Sequence, residues 1–349
     1  MIEIFQGVGL LVFVLILFSG FSLKAPKGDK AMTGLAGAAV ATFLVEAIHK
    51  YISGDLFHIQ FLGNVGKASG NMGGPIAAIL VSINMGINPV YAVVAGAALG
   101  NLGILPGFVA GYMVGLIGNI IERKLPKGLD TIAGALLIAP LARGIASGAA
   151  PLVDQTLFAI GNMITAAAEQ SPYMMGFLLG GIIKVICTSP LSSMALTAML
   201  GLQGLAMGIS AIASFGGAFT NGIVFKRLKF GDKGNIIAVM LEPLTQADIV
   251  TKHPLPIYFS DFIGGGLAGI AAAYFKIINN APGTASPIPG MLAPFGFNDP
   301  KKVLFALTFA VMGGIIGGYG GTSIIAFIKN KNIKFKNIVY RFASEKESM

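Results

Sequence analysis

The chain has 349 residues, 54% of them hydrophobic and only 11% charged, with a formal net charge of +9. Soluble domains carry about a quarter charged residues, so this composition cannot furnish an ordinary wetted surface, and a soluble enzyme is excluded. Nor does the basic excess form a nucleic-acid face: it sits in four short segments, Lys24–Lys30 (+2), Glu122–Asp130 (+1), Lys226–Lys233 (+3) and Lys329–Met349 (+4).

Taken in chain order, apolar runs predict helical spans near 2–23, 31–52, 72–87, 89–104, 105–122, 131–150, 153–168, 173–189, 192–211, 212–225, 256–277 and 303–328. Strands of a membrane barrel would alternate polar and apolar residues, and none of these runs does. The expected class is therefore an all-α polytopic integral membrane protein. Several runs are short or interrupted by Gly or Pro, which reduces twelve candidates to about ten transmembrane helices plus re-entrant hairpins. The clearest interruptions are Asn71–Pro75, Thr188–Pro190 and Gly201–Gly204. Residues 1–328 read as one membrane domain with halves at 1–128 and 129–328, and residues 329–349 as a basic tail. The first run lacks a basic leader and a small-residue cleavage site, so it reads as a retained helix.

Short basic loops between apolar spans mark the cytoplasmic side. Four crossings between Lys24–Lys30 and Glu122–Asp130 keep both loops on that side and put the N-terminus outside. An even number of spans from an inside N-terminus would reverse the first loop, and the sequence leaves both arrangements open. A weak internal repeat is also present. Pro75–Val90 aligns without gaps on Pro190–Leu205, with Pro first, a hydroxyl eighth, Gly twelfth and an amide fourteenth. Matching broken segments in two halves point to a binding site near the midplane, although Gly- and Ala-rich runs also align by chance.

Between Thr131 and Phe225 the only Asp, Glu, Lys or Arg residues are Arg143, Asp154, Glu169 and Lys184. Ionisable groups within a bilayer cost several kcal/mol, so each is a functional candidate. Arg143 and Lys184 could bind a phosphate or a sugar hydroxyl, or neutralise Asp154 or Glu169. Glu46, His49 and Lys50, spaced i, i+3, i+4, can pair on one helix face near its end. Cys187 stands alone in an apolar run and reads as a packing residue. No metal cluster or cofactor motif is recognisable.

Met240–Ile270 carries the densest chemistry. Glu242 is followed at once by Pro243, then by Thr245, Gln246, Asp248 and His253, and by Gly264–Gly266. A carboxylate beside a proline break, in a polar stretch between spans, suits a re-entrant hairpin tip. It also suits an ordinary extramembrane loop. Carboxylate oxygens accept hydrogen bonds from sugar hydroxyls, and a carboxylate can serve as general base for a hydroxyl receiving a phosphoryl group.

This segment resembles the sugar-binding hairpin of the membrane IIC components of the bacterial phosphotransferase system (PTS). Leu241-Glu242-Pro243 matches the Glu-Pro core of that hairpin, while His253–Ile257 and Gly264–Gly269 match its Pro-containing step and Gly-rich helix. Lys124–Lys127 before Leu136–Arg143 resembles the fructose-type (glucose superfamily) members, and the overall likeness is to the perfringolysin-regulator-like branch. The resemblance implies a dimeric carrier of the bacterial cytoplasmic membrane. It would hold its C-terminus inside, and its carbohydrate would be phosphorylated by a separate IIB protein, with IIA as the further phosphocarrier partner. It further implies Glu242 as sugar ligand and catalytic carboxylate. Thr245 and Gln246 beside it are weaker candidates, and His253 lies in the same hairpin. A site between this hairpin and the broken helices near Asn71–Pro75 and Thr188–Ser193 would add Asn71, Gly74, Lys184, Ser189 and Ser192. One feature departs from the pattern: Ala293-Pro294-Phe295-Gly296-Phe297 has phenylalanine where related proteins have histidine. A sugar-sensing membrane regulator with a degenerate IIC fold is the alternative. A transporter coupled to ions or protons through Glu46 and Lys184 is a third.

Overall fold

The computed structural model describes the backbone except at residues 1–8, 10–11, 14–15, 19, 125–128, 190–191 and 347–349. Side chains at 56, 119, 121–124, 129–131, 133–135, 154 and 329–346 are also outside the described residues. Most of the run at 2–23, Leu125–Lys127, Asp154, Pro190 and the side chains of the basic tail therefore fall outside it.

Every regular element among the described residues is helical. In order they are α1 (Gly28–Ala39), continued by π-helical Val40–Leu44 and Ala47–Leu56, α2 (Gln60–Gly70), α3 (Gly73–Asn84), α4 (Pro89–Ala97), α5 (Ile104–Lys124) and α6 (Leu129–Gln170). Next come α7 (Pro172–Thr188), α8 (Ser193–Met199), α9 (Gly204–Leu228), α10 (Lys233–Leu241), a 3₁₀ turn at Pro243–Gln246, and α11 (Ala247–Lys252). The chain closes with α12 (Pro254–Tyr274), α13 (Pro287–Leu292), a second 3₁₀ turn at Ala293–Gly296, and α14 (Pro300–Lys346).

Five described helices are long and apolar enough to cross a bilayer: Gly28–Asp55, Leu136–Gln170, Gly204–Leu228, Pro254–Tyr274 and Pro300–Ile328. Gly73–Asn84, Ile104–Gly118 and Pro172–Thr188 are shorter apolar helices. Two expected boundaries move. The runs at 131–150 and 153–168 are one helix, α6, which continues through Pro140 and Pro151. Within a bundle, neighbouring groups can satisfy the backbone acceptors that a proline frees. The run at 192–211 is cut at the interruption expected at Gly201–Gly204, where Gly201 takes a φ of +59° that suits a residue without Cβ, and the second piece joins the run at 212–225 in α9.

That cut has a counterpart in the first half. Amides 85, 86 and 87 donate to carbonyls 81, 83 and 82, and amides 200, 201 and 202 donate to carbonyls 196, 198 and 197. Gly86 and Gly201 both take positive φ, and Asn88 and Gln203 both stand at the N-cap of the next helix. The aligned segments thus share one helix–turn–helix geometry, beyond which α4 and α9 differ in length.

Two packed groups result. In the first, α3 lies between α1 and α5, and α4 packs on α3 and α6. In the second, α7, α9 and α12 pack on one another, and α14 packs on α9 and α12. Glycines permit the closest approach, as where Gly176 and Gly180 of α7 meet Gly269 of α12 backbone to backbone. The outer faces remain apolar, with Leu136, Leu152, Phe305, Ile316 and Phe327 exposed as a hydrocarbon layer requires.

The ends can be oriented. The Lys27 ammonium donates to Met85 O at the end of α3, and Tyr112 Oη donates to Pro26 O. At the opposite end Phe43, Asn71, Asn101, Met199 and Pro282 surround one cavity, joining the starts of α3 and α5 to the end of α8. Because α9 begins beside that end, at Asn279, it finishes with Lys226 and Arg227 at the end holding Lys27. Arg227 there donates to Tyr319 O, Thr322 Oγ1 and Ser323 Oγ of α14, so the basic stretches at 24–30 and 226–233 share one end.

Candidate functional site

The hairpin carrying Glu242 rises from this basic end. Lys229 and Gly231 at positive φ turn the chain out of α9. Asp232 and Asn235 then form a reciprocal capping box that starts α10, each side chain accepting from the other's backbone amide at 2.9 Å. The helix stops at Glu242 because Pro243 comes next: a residue before proline is driven out of the helical region, and Glu242 takes φ −145°, ψ 92°. The 3₁₀ turn and α11 return the chain. Asn235 Nδ2 donates to Gln246 Oε1 at 2.7 Å, tying the two limbs together, and His253 stacks on Phe230 at 4.2 Å at the base.

At the tip, Glu242 is half-buried and faces the Leu244 amide, the Ser286 hydroxyl and, at longer range, the Lys184 ammonium. Ser286 precedes α13, which packs on α9. Ser193 at the start of α8 donates to Ala285 O, so α8 and the α13 segment are joined beside Glu242. A carboxylate, two serines and a lysine thus approach one another where several helices terminate.

Behind this junction lies a polar cluster without solvent access. Lys184, Thr188, Asn221 and Asp261 all have 0% exposure. Lys184 Nζ stands 3.9 Å from Asp261 Oδ1. With its amide oriented from its neighbours, Asn221 donates to Asp261 Oδ1 at 2.8 Å and accepts from Lys184 Nζ at 2.9 Å and Thr188 Oγ1 at 3.0 Å. Lys184 therefore faces Asp261 rather than Glu169, which is exposed; Asp154 lies outside the described side chains. Asp261 is a lone carboxylate in an apolar span, which marks it as a functional candidate, but the Glu-Pro motif nearby is the louder signal in the same segment.

The other candidates divide. Asn71 lines a cavity of about 570 Å³ together with Glu46, Tyr51 and Asn101, and Glu242 is not among its lining residues. Gly74, close to it in sequence, is instead buried where α3 meets the Leu102–Gly103 carbonyls and Gly107. Ser189 donates to Ile186 O at 2.8 Å, and Ser192 caps α8 by accepting from the Ala195 amide. Thr245 folds back onto Glu242 O at 2.8 Å, while Gln246 and His253 hold the hairpin together away from its tip. Arg143 donates to Ala98 O and Gly100 O and so holds the loop after α4. Glu46 and Lys50 pair at 2.7 Å as their spacing implies, but His49 does not join them: its Nδ1 is buried without a partner among the described residues. Cys187 is buried.

A long family match decides what this bundle is. Residues 29–339 match the family described as "Phosphotransferase system, EIIC". The chain belongs to that family. It is a membrane component of a PTS sugar permease, and the match spans both packed groups, the Glu242 hairpin and the cavity. No curated protein and no solved structure matches the chain.

Proposed function

We propose that this EIIC chain binds its carbohydrate at the Glu242 junction, moves it across the bacterial cytoplasmic membrane, and presents it to a separate IIB protein charged by IIA. The observation that carries this reading is the position of Glu242. A proline break at the tip of a stapled hairpin sets a half-buried carboxylate against Ser286 and within range of Lys184. Such a carboxylate accepts hydrogen bonds from sugar hydroxyls and can take the proton of the hydroxyl that attacks the phosphoryl group. Lys184 reaches the same junction from α7 and Ser193 from α8, with Ser189 and Ser192 proposed as further ligands from the ends of these helices, and Thr245 braces the turn. In this reading the basic end faces the cytoplasm, consistent with its Lys and Arg content. The family's dimeric assembly and the fructose-type, perfringolysin-regulator-like placement belong to the same proposal.

Glu242→Gln is expected to weaken sugar binding at least tenfold in calorimetry on purified protein, with the helical content intact; unchanged affinity would remove Glu242 from the site. Labelled-sugar uptake into membranes supplied with IIA and IIB tests the coupling, and phosphorylated product is the expected result. One observation favours a second reading. Phe295, at the position where related proteins carry histidine, packs against the apolar core of the second helix group. Saturable binding with neither uptake nor phosphorylation would therefore identify a sugar-sensing regulator.

A further inference from the structure

The cavity that holds Asn71 has a chemistry of its own. It opens at the end opposite the basic segments, and its polar wall is made by Glu46, Tyr51, Asn71 and Asn101. Phe43 and Phe158 supply apolar ring surface beside them. Each polar group is placed by the fold. Lys50 Nζ holds Glu46 Oε1 at 2.7 Å and Tyr51 Oη at 3.2 Å, ordering two wall residues at once. Asn101 takes φ +65° in the loop that Arg143 grips by its carbonyls. The Glu46 wall is π-helical on both sides, over Val40–Leu44 and Ala47–Leu56, a departure from α geometry that is common at functional sites.

We propose that this cavity is a second carbohydrate station, which receives the unphosphorylated sugar before it reaches Glu242. The proposal rests on the permease reading. A carboxylate that accepts, amides that both donate and accept, and flanking aromatic surface together suit a polyhydroxylated ring. The volume lies within the range of small-molecule sites. Glu46 is already paired with Lys50, so the wall carries no net charge from these two groups and favours a neutral ligand over a cation. The station is separate from the Glu242 junction. Ser193 lies on the Glu242 side of α8 and Met199 lines the cavity, six residues or about 9 Å apart along the helix. None of Leu244, Ser286 or Lys184 lines the cavity.

The chain contains no tryptophan, so Phe158→Trp in the full-length protein places one fluorophore on the cavity wall. Glucose, fructose, galactitol and cellobiose serve as probes, with calorimetry run in parallel. At least one sugar is expected to change the emission saturably. The apparent Kd should rise tenfold or more when Glu46→Gln or Asn101→Gly is added, the glycine retaining the positive φ, and the response should persist with Glu242→Gln. An emission response lost with Glu242→Gln but kept with Glu46→Gln would overturn the station. Calorimetric heat with no emission change would overturn it too while leaving the permease reading intact; the absence of both signals would sink both.

Discussion

Two lysine–carboxylate pairs in this molecule invert the usual relation between distance and consequence. Lys50 and Glu46 touch at 2.7 Å, yet their side chains are 33% and 18% exposed and lie four residues apart on one helix. Lys184 and Asp261 stand 3.9 Å apart, on different helices, with no exposure at all. Water screens the first pair, so its contact contributes little; exposed pairs are worth about 0–1 kcal/mol. The second pair is held by the Asn221 amide, which bridges its two partners. Losing one partner of such a pair costs about 3–5 kcal/mol, because a charge is then stranded in a low-dielectric interior. The closer pair shapes a wet wall, and the looser pair holds a dry bundle.

Removing one buried partner breaks the comparison most severely. Asp261→Asn is expected to destabilise the protein by about 3–5 kcal/mol, read as a large fall in the thermal unfolding midpoint of the detergent-solubilised protein. The double change Lys184→Met with Asp261→Leu should recover most of that loss. Equal midpoints for the single and double variants would show that the two charges are not coupled. A smaller effect is expected at the hairpin, where Asn235 both completes the capping box and ties Gln246. Asn235→Ala should cost about 1–2 kcal/mol, through one cap and one side-chain hydrogen bond, and should speed proteolysis near Glu242. Full protection of the hairpin in the variant would mean that the Gln246 link is dispensable. The smallest effect belongs to the exposed pair: Lys50→Met should change stability by less than about 1 kcal/mol, whereas sugar response at the cavity should drop severalfold. A stability loss as large as that of Asp261→Asn would erase the distinction between the two pairs.

The legible part of the site was local. The Glu242 turn comes from Glu-Pro adjacency, and the Gly201 break from the GLQG run, because proline and glycine act on their own backbone within a residue or two. The Glu46–Lys50 pair likewise comes from i, i+4 spacing. Lys184 was legible as a costly intramembrane charge, but its neighbours in sequence misdirect the search for a partner. Asp261 is 77 positions away and Asn221 is 37, and they meet only because glycine faces let α7, α9 and α12 pack backbone to backbone.

Sequence by itself therefore determined the solvent of this protein, its helical class and the points at which its helices break. Composition and short-range backbone preferences are enough to decide those features. Tertiary structure alone decided that α6 runs on through Pro140 and Pro151, that Lys184 finds Asp261, and that Asn71 shares a cavity with Glu46 rather than with Glu242. Those outcomes depend on which faces of distant helices are brought together, and spacing along the chain does not encode that adjacency.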